Sequence, residues 1–260
     1  MDKKWKIFIV SHKQFIPKMC HCDPMFNSTN YCILNVGNEK TIEHSEGLEV
    51  INQFELPHAV SLGKWWAESE GIYNIWLSNK YSDLDYIGFI HYDKELRLIK
   101  KYLFPNRMTN ITSRINEYIS GEQKAHISFE NHNMRRDYGQ KIMADINHPN
   151  ELTGDGLNCY DYLLNDYNTY FSTQYTLEDL FRCKCINLCS CFLVDYATFD
   201  KMMKFFQWVI LQKRLEPFDT NHMYRFQGGM AERYFGLFLA FEYRKNKDLS
   251  IIHHYNEGIK

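Results

Sequence analysis

The residues best placed for chemistry are His91-Tyr92-Asp93, which follow the apolar run Tyr86–Ile90. Short runs rich in aromatic and β-branched residues predict a strand buried on both faces. Ligands of open α/β sheets bind just beyond the carboxyl ends of such strands. His91 and Asp93 are two residues apart, so an extended chain would place both on one side. An imidazole beside a carboxylate suits Mn²⁺ or Mg²⁺. The alternative is that Asp93 opens a turn and His91 is a core histidine.

A second pair of residues that could be functional is Glu232-Arg233, which follows shortly after Gly228-Gly229. The sequence predicts a helix that begins near Met230, with the glycine pair forming the turn before it. Both charged residues would then lie in the first turn, where the positive end of a helix favours an anion. Taken alone, this pattern favours the simpler interpretation that Glu232 complements the helix dipole.

Two further strands are predicted upstream of the Tyr86–Ile90 strand. Lys6–Val10 ends at the polar residues Ser11-His12-Lys13, and Tyr31–Val36 ends at Gly37. This layout is typical of a nucleotide-binding α/β half. The chain has neither a G-x-G-x-x-G motif nor a P-loop, which argues against a dinucleotide or Walker-type site.

The segment between these strands has helical periodicity. The spacing predicts a helix over Ser61–Leu77, with Glu68 and Glu70 away from its apolar face. Asp83-Leu84-Asp85 is a literal D-x-D, but it precedes the Tyr86–Ile90 strand. A metal site at the carboxyl end of that strand cannot use it, so we interpret it as a solvated turn.

A cysteine-rich segment raises the question of zinc. Its four thiols belong to Cys183, Cys185, Cys189 and Cys191. Structural zinc sites usually use C-x₂₋₄-C knuckles, whereas these are C-x-C pairs in a β-prone run. One continuous strand would line all four along one face, which cannot surround an ion. We therefore predict small buried thiols without metal.

Composition narrows the class of protein. The chain has 260 residues, 45% hydrophobic and 24% charged, which is typical of a globular protein. This length fits one large domain or two intimate ones, and we predict a single domain over residues 1–260. A net charge of −2 argues against a nucleic-acid partner. No run approaches ~18 apolar residues, so no transmembrane segment is predicted. The N-terminus lacks the pattern of a signal peptide, so we expect a cytoplasmic protein with reduced thiols. The sequence does not indicate an oligomeric state.

Several motifs, in a fixed order along most of the chain, resemble one family. They are KIFIVSHK at 6–13, Val36-Gly37, ESEGIYNIW at 68–76, DYIGFIHYD at 85–93, FLVDYATFD at 192–200 and QGGMAERYF at 227–235. The set is similar to glycosyltransferases of capsular-polysaccharide biosynthesis, which have relatives in large DNA viruses. The resemblance implies an α/β fold: a GT-A-like, Rossmann-type sandwich with a central mixed sheet flanked by helices. It also implies a nucleotide-sugar half at about 1–100 and an acceptor half at about 101–260.

The resemblance further implies roles for residues. A sugar would pass from a nucleoside diphosphate sugar, UDP-linked, to a glycan or glycoprotein hydroxyl, by inversion with Glu232 as general base. Asp93 stands where the family has Arg in H-Y-R, which restores a carboxylate for Mn²⁺ or Mg²⁺ next to His91. The C-terminal tail would add His254 to the metal and Lys260 to the diphosphate. The expected nucleotide-sugar-binding residues are Ser11, His12, Lys13, Gly37, Tyr92, Arg233 and Lys260.

Two other classes of protein remain open from the sequence. A non-catalytic carbohydrate- or nucleotide-binding protein could retain this fold with an aromatic sugar platform and no base. A zinc-stabilised interaction module would carry metal in stoichiometric amount.

Overall fold

The computed structural model of the protein describes most of the sheet and the helices that pack on it. The described residues are 3–14, 29–37, 42, 47–92, 112, 115–116, 119–120, 125–128, 131–133, 159–183, 185–187, 190–216, 226–245 and 250–253.

The centre of the fold is a seven-stranded mixed sheet. Its strands are β1 (Trp5–Ser11), β2 (Tyr31–Asn35), β3 (Glu49–Asn52), β4 (Tyr86–His91), β5 (Ala125–Ser128), β8 (Phe192–Asp195) and β9 (Ser250–His253). They lie side by side in the order β3-β2-β1-β4-β8-β5-β9. Two further strands, β6 (Asn131–Asn133) and β7 (Cys185–Asn187), pair antiparallel in a separate small sheet. The first four strands in the order are mutually parallel. Their carboxyl ends therefore meet at one edge.

The second part of the sheet changes direction at β8. This strand pairs antiparallel with β4, Phe89 opposite Phe192, and antiparallel with β5 on its other side. β5 then runs parallel to β9. The amino end of β8 consequently lies beside the carboxyl end of β4, where the sequence predicts chemistry.

Helices cover both faces of the sheet because alternate strand residues are apolar on each side. The larger core holds Phe8, Ile87 and Phe89 under α1 (Glu68–Leu77), α2 (Cys159–Phe171), α4 (Tyr196–Leu211) and α5 (Phe226–Lys245). The smaller core packs Ile7 and Ile90 against helical residues that include Ile115 and Ile119. The fold is thus an α/β sandwich with a mixed sheet between helical layers, as predicted. None of the helices in the described part of the chain combines the length and hydropathy that a membrane span requires.

Local signals set several element ends. The short helix α3 (Leu177–Phe181) begins with a capping box, in which Thr176 and Asp179 bond each other's backbone N–H. Asp195 caps α4 by accepting from the backbone N–H of Thr198 at 3.0 Å. The Asp83–Asp85 segment is a turn, as predicted, and Asp85 accepts from the backbone N–H of Lys4 at 2.9 Å.

Two predicted elements upstream of α5 differ from the structure. The helix expected over Ser61–Leu77 begins only at Glu68, after a 3₁₀ turn at Lys64–Trp66. The cysteine segment is not one strand, because β7 and β8 belong to different sheets and Ser190 lies in a turn between them. The shared-face argument for the four thiols is therefore wrong. Cys183 and Cys191 form no disulfide bond within the described part of the chain. The side chains of Cys185 and Cys189 lie outside the described part.

Candidate active site

Polar groups gather where β1 and β2 end. Ser11 is buried, and its hydroxyl both donates to the carbonyl of Lys13 at 2.7 Å and accepts from the Lys13 N–H at 3.2 Å. This pair of bonds turns the chain immediately after β1. Gly37 lies against the turn, because a Cβ at this position would come within 3.1 Å of the His12 carbonyl oxygen. A larger residue would push the two strand ends apart.

Tyr92 joins the same group from the end of β4. Its N–H donates to the carbonyl of Val10 at 3.0 Å, which fixes it beside β1. The His12 ring meets the Tyr92 ring edge-on at 5.4 Å, and the Lys13 ammonium lies 4.9 Å from the ring centroid. A cation, an imidazole and an aromatic face therefore share one surface. We call Ser11, His12, Lys13, Gly37 and Tyr92 the strand-end surface.

A second group of side chains converges at the last residue of β4. Glu68, His91 and Glu232 each offer one potential ligand atom, and these atoms all lie within 4.8 Å of one another. Both glutamates are 8% exposed, and His91 is partly buried. We call these three residues the carboxylate–imidazole cluster. The sequence placed His91 and Glu232 in separate predicted sites and missed Glu68 altogether.

The position of Glu232 depends on close packing of α5 against the start of α1. A Cβ at Gly228 would lie 3.2 Å from the Ala67 Cβ and from the carbonyl oxygens of Trp65 and Trp66. Only glycine permits this approach without displacement of one of the two segments. The approach brings the second turn of α5 next to Glu68, the first residue of α1.

The predicted start of this helix is wrong. α5 begins at Phe226, so Gly228-Gly229 lie inside the helix rather than in a turn before it. Glu232 is accordingly beyond the first turn, where the helix dipole has most of its effect. The physical reason is that the glycines serve helix packing and not chain reversal. Dipole complementation therefore gives a poor account of Glu232.

Glu68 occupies a strained junction. Ala67, which precedes it, has φ 49° and ψ −134°, a backbone conformation that residues with a Cβ rarely adopt. Such strain is concentrated at functional sites, where the surrounding structure maintains it. The sequence did carry a signal for Glu68. This residue lies one helical turn before Ile72 and two turns before Trp76, so it shares a helix face with these apolar residues. A carboxylate on an apolar helix face is unusual.

Glu70 was also expected to face away from the core, and this too is wrong. Its carboxylate accepts hydrogen bonds from the backbone N–H groups of Leu62 and Gly63 and from the side-chain amide of Gln53. Burial raises its pKa, although these three donors oppose the shift. Glu70 thus holds the segment that leads into the 3₁₀ turn at Lys64–Trp66.

Ser190 is a further buried polar residue, shortly before β8. It is 1% exposed and has φ 50°, and among the described residues nothing hydrogen-bonds its hydroxyl. It precedes β8 at the end that lies beside the carboxyl end of β4. A buried hydroxyl of this kind is a candidate ligand contact.

Four predicted site residues remain, namely Arg233, Asp93, His254 and Lys260. Arg233 is buried, donates to the Gly229 carbonyl at 3.2 Å and lies 6.0 Å from the ring of Tyr160. Its assignment to the nucleotide stays a prediction. Asp93, His254 and Lys260 lie outside the described residues, so their roles stay predictions as well.

Comparisons with known proteins bear on the fold. No family model matches the chain. No curated protein matches it either. Among solved structures, one described as the apo structure of the WbbM bifunctional glycosyltransferase aligns with 99% of this chain, with a TM-score of 0.58 and 13% identity. The chain spans 46% of the length of that structure. The likeness shows a shared fold, and the predicted GT-A-like α/β architecture is confirmed at that level.

Proposed function

We propose that the protein transfers a sugar from a nucleoside diphosphate sugar, with UDP as nucleotide, to a hydroxyl of a glycan or glycoprotein. The observation that supports this most is the place of the carboxylate–imidazole cluster. It lies at the carboxyl end of β4, one residue before Tyr92 of the strand-end surface, in a fold similar to that of a glycosyltransferase. Open α/β sheets bind their ligands at this place.

The strand-end surface has the groups that a nucleoside diphosphate needs. The Lys13 ammonium supplies positive charge for phosphate oxygens, and the Tyr92 ring offers a flat apolar face to a base or sugar. Gly37 allows the end of β2 to pack closely against the His12 carbonyl, which keeps the two strand ends together. Lys260 is a further proposed cation for the diphosphate.

Glu232 is the proposed general base. In an inverting transfer the acceptor oxygen attacks the anomeric carbon, and the bond from that carbon to the diphosphate oxygen breaks. The acceptor hydroxyl gives its proton to a carboxylate on the face opposite the leaving group. Glu232 is a buried carboxylate in the carboxylate–imidazole cluster, and its position in the second turn of α5 leaves it without a first-turn dipole role.

A divalent cation suits this chemistry because charge develops on the leaving diphosphate. Asp93, His91 and His254 are the residues proposed from the sequence to hold Mn²⁺ or Mg²⁺. His91 fits, since its Nε2 is buried and makes no hydrogen bond to any described residue. When bound, the cation would neutralise the diphosphate.

The test is binding of a panel of nucleoside diphosphate sugars, measured as the rise in melting temperature and by titration calorimetry. Binding to the native state should raise stability by about 2.7 kcal/mol at a hundredfold excess over Kd. Lys13→Ala should weaken the binding of UDP-linked donors about tenfold, because it removes a charge-assisted contact to phosphate.

Lys80→Ala is the matched control. The Lys80 ammonium also lies over a tyrosine ring, 5.3 Å from the Tyr81 centroid, but in the turn before β4, at the opposite edge of the sheet. It should leave donor affinity unchanged. No binding of any nucleotide sugar would contradict the proposal. Binding with no turnover towards any acceptor would instead favour a non-catalytic carbohydrate- or nucleotide-binding protein.

A further inference from the structure

We infer that Glu68, His91 and Glu232 together form a divalent-cation site in which Glu68 is a ligand. Cation binding itself follows from the side chains alone, whereas its use in sugar transfer rests on the proposed function. The set differs from the one expected from the sequence, because Glu68 and Glu232 come from two helices that no local motif connects.

The spacing of the donor atoms fits a single ion. Metal–ligand distances of about 2.0–2.2 Å allow two ligands of one ion to be up to about 4.4 Å apart. The three potential ligand atoms of the carboxylate–imidazole cluster are all within 4.8 Å of one another. Small side-chain movements would therefore bring all three into coordination without a change in the backbone.

Electrostatics favours a cation between these groups. Glu68 and Glu232 are both 8% exposed, and two carboxylates that close together repel each other when little water screens them. A cation coordinated by both would replace that repulsion with attraction.

The imidazole gives an independent observation. The Nε2 atom of His91 is buried, and no described residue hydrogen-bonds it. Buried polar atoms in native proteins nearly always have a partner, so an orphaned nitrogen calls for a ligand. The strained backbone of Ala67, directly before Glu68, is further evidence that this junction is maintained for a purpose other than stability.

The donor set selects the kind of ion. Two carboxylates and one imidazole suit Mn²⁺, whereas Ca²⁺ prefers oxygen ligands alone. A carboxylate can bind an ion through one oxygen. One oxygen from each of Glu68 and Glu232 is therefore enough for this site.

The experiment titrates Mn²⁺ into metal-free protein without nucleotide and follows free Mn²⁺ by electron paramagnetic resonance. One Mn²⁺ per chain should bind, and Ca²⁺ should compete weakly. Glu68→Gln should lower Mn²⁺ affinity at least about tenfold. Glu242→Gln is the control, because Glu242 is 7% exposed on the same helix as Glu232 and pairs with Lys201 away from the cluster. It should leave Mn²⁺ affinity unchanged.

A spectroscopic measurement on the wild-type complex keeps the inference testable even if a variant does not fold. Electron spin-echo modulation of the wild-type complex should show a directly bound imidazole nitrogen, and this signal should vanish in His91→Gln. Absence of Mn²⁺ binding in the wild type, absence of the nitrogen signal, or wild-type affinity in folded Glu68→Gln would each overturn the inference.

Failure of the site and failure of the proposed function give different results. If sugar transfer persists in chelator and no Mn²⁺ binds, the cation site is contradicted and the proposed function is supported. If Mn²⁺ binds in stoichiometric amount and no nucleotide sugar binds, the proposed function is contradicted and the cation site is supported.

Discussion

A buried hydrogen-bond network joins Asp166, Arg214 and Tyr234, and its contribution to stability can be predicted in magnitude. The Asp166 carboxylate on α2 is 1% exposed and accepts from Arg214 Nε at 2.9 Å and Nη2 at 2.8 Å. Its other oxygen accepts from the Tyr234 hydroxyl, which lies on α5. Burial and the adjacent carboxylate raise the pKa of Tyr234, so the hydroxyl stays protonated and donates at neutral pH. The network thus fastens the helix that carries Glu232.

Tyr234→Phe removes one donor and leaves the other in place. A hydrogen bond to a charged group contributes about 1.5–3 kcal/mol, and we expect a loss in this range. Removing every partner of a buried charge would cost about 3–5 kcal/mol, but Arg214 still pairs with Asp166 in this variant. Tyr162→Phe is the control. The Tyr162 hydroxyl donates to the backbone carbonyl of Arg214 at 2.6 Å, a neutral bond that contributes about 0.5–1.5 kcal/mol.

The assay is urea unfolding followed by tryptophan fluorescence, with thermal unfolding alongside. Tyr234→Phe should lower the melting temperature by about 3–12 °C. A double-mutant cycle with Asp166→Asn should give a coupling energy of at least about 1 kcal/mol. A loss no larger than that of Tyr162→Phe, together with zero coupling, would refute the reasoning.

Three further perturbations test other parts of the fold. Burial raises the pKa of Glu70 above its ordinary value of 4.5. The folded state therefore binds a proton more tightly than the unfolded state does. The free energy of unfolding falls as the pH rises from 4.5 through the pKa of Glu70 in the folded state. Glu70→Gln should flatten that part of the stability–pH profile, and an unchanged profile would contradict the assignment. Gly88→Ala should lower the free energy of unfolding in urea by about 1–3 kcal/mol, because the new Cβ would lie 2.7 Å from the Phe192 carbonyl oxygen. An unchanged free energy of unfolding would mean that β4 and β8 are less tightly packed. Ala67→Gly should raise stability by about 1 kcal/mol, because glycine relieves the positive φ; a destabilised variant would argue against strain there.

Local patterns were enough to predict the sheet edge. The aromatic and β-branched run before His91 became β4, and the polar residues after β1 came to lie beside Tyr92, because parallel strands align their carboxyl ends. The Thr176 cap was equally predictable, since a capping box needs only two side chains and their own backbone.

The carboxylate–imidazole cluster could not be predicted in the same way. Glu68 and Glu232 are far apart in sequence, and their approach depends on glycine packing between Gly228 and Ala67. The late start of α1 also follows from the positive φ of Ala67, which tertiary contacts impose and an alanine does not signal. A helix predicted from Ser61 therefore put Glu68 on the wrong face, although the four-residue spacing from Glu68 to Ile72 indicated the observed one.

The most direct test of the central claim is the turnover of Glu232→Gln. The rate of UDP release from a UDP-linked sugar, with an acceptor present, is measured for wild type and variant at a Mn²⁺ concentration that keeps the cation site filled. Glutamine keeps the shape of the side chain but cannot take a proton, so kcat should fall about 10²–10⁴-fold while donor affinity is retained. A folded Glu232→Gln protein with wild-type kcat would contradict the account.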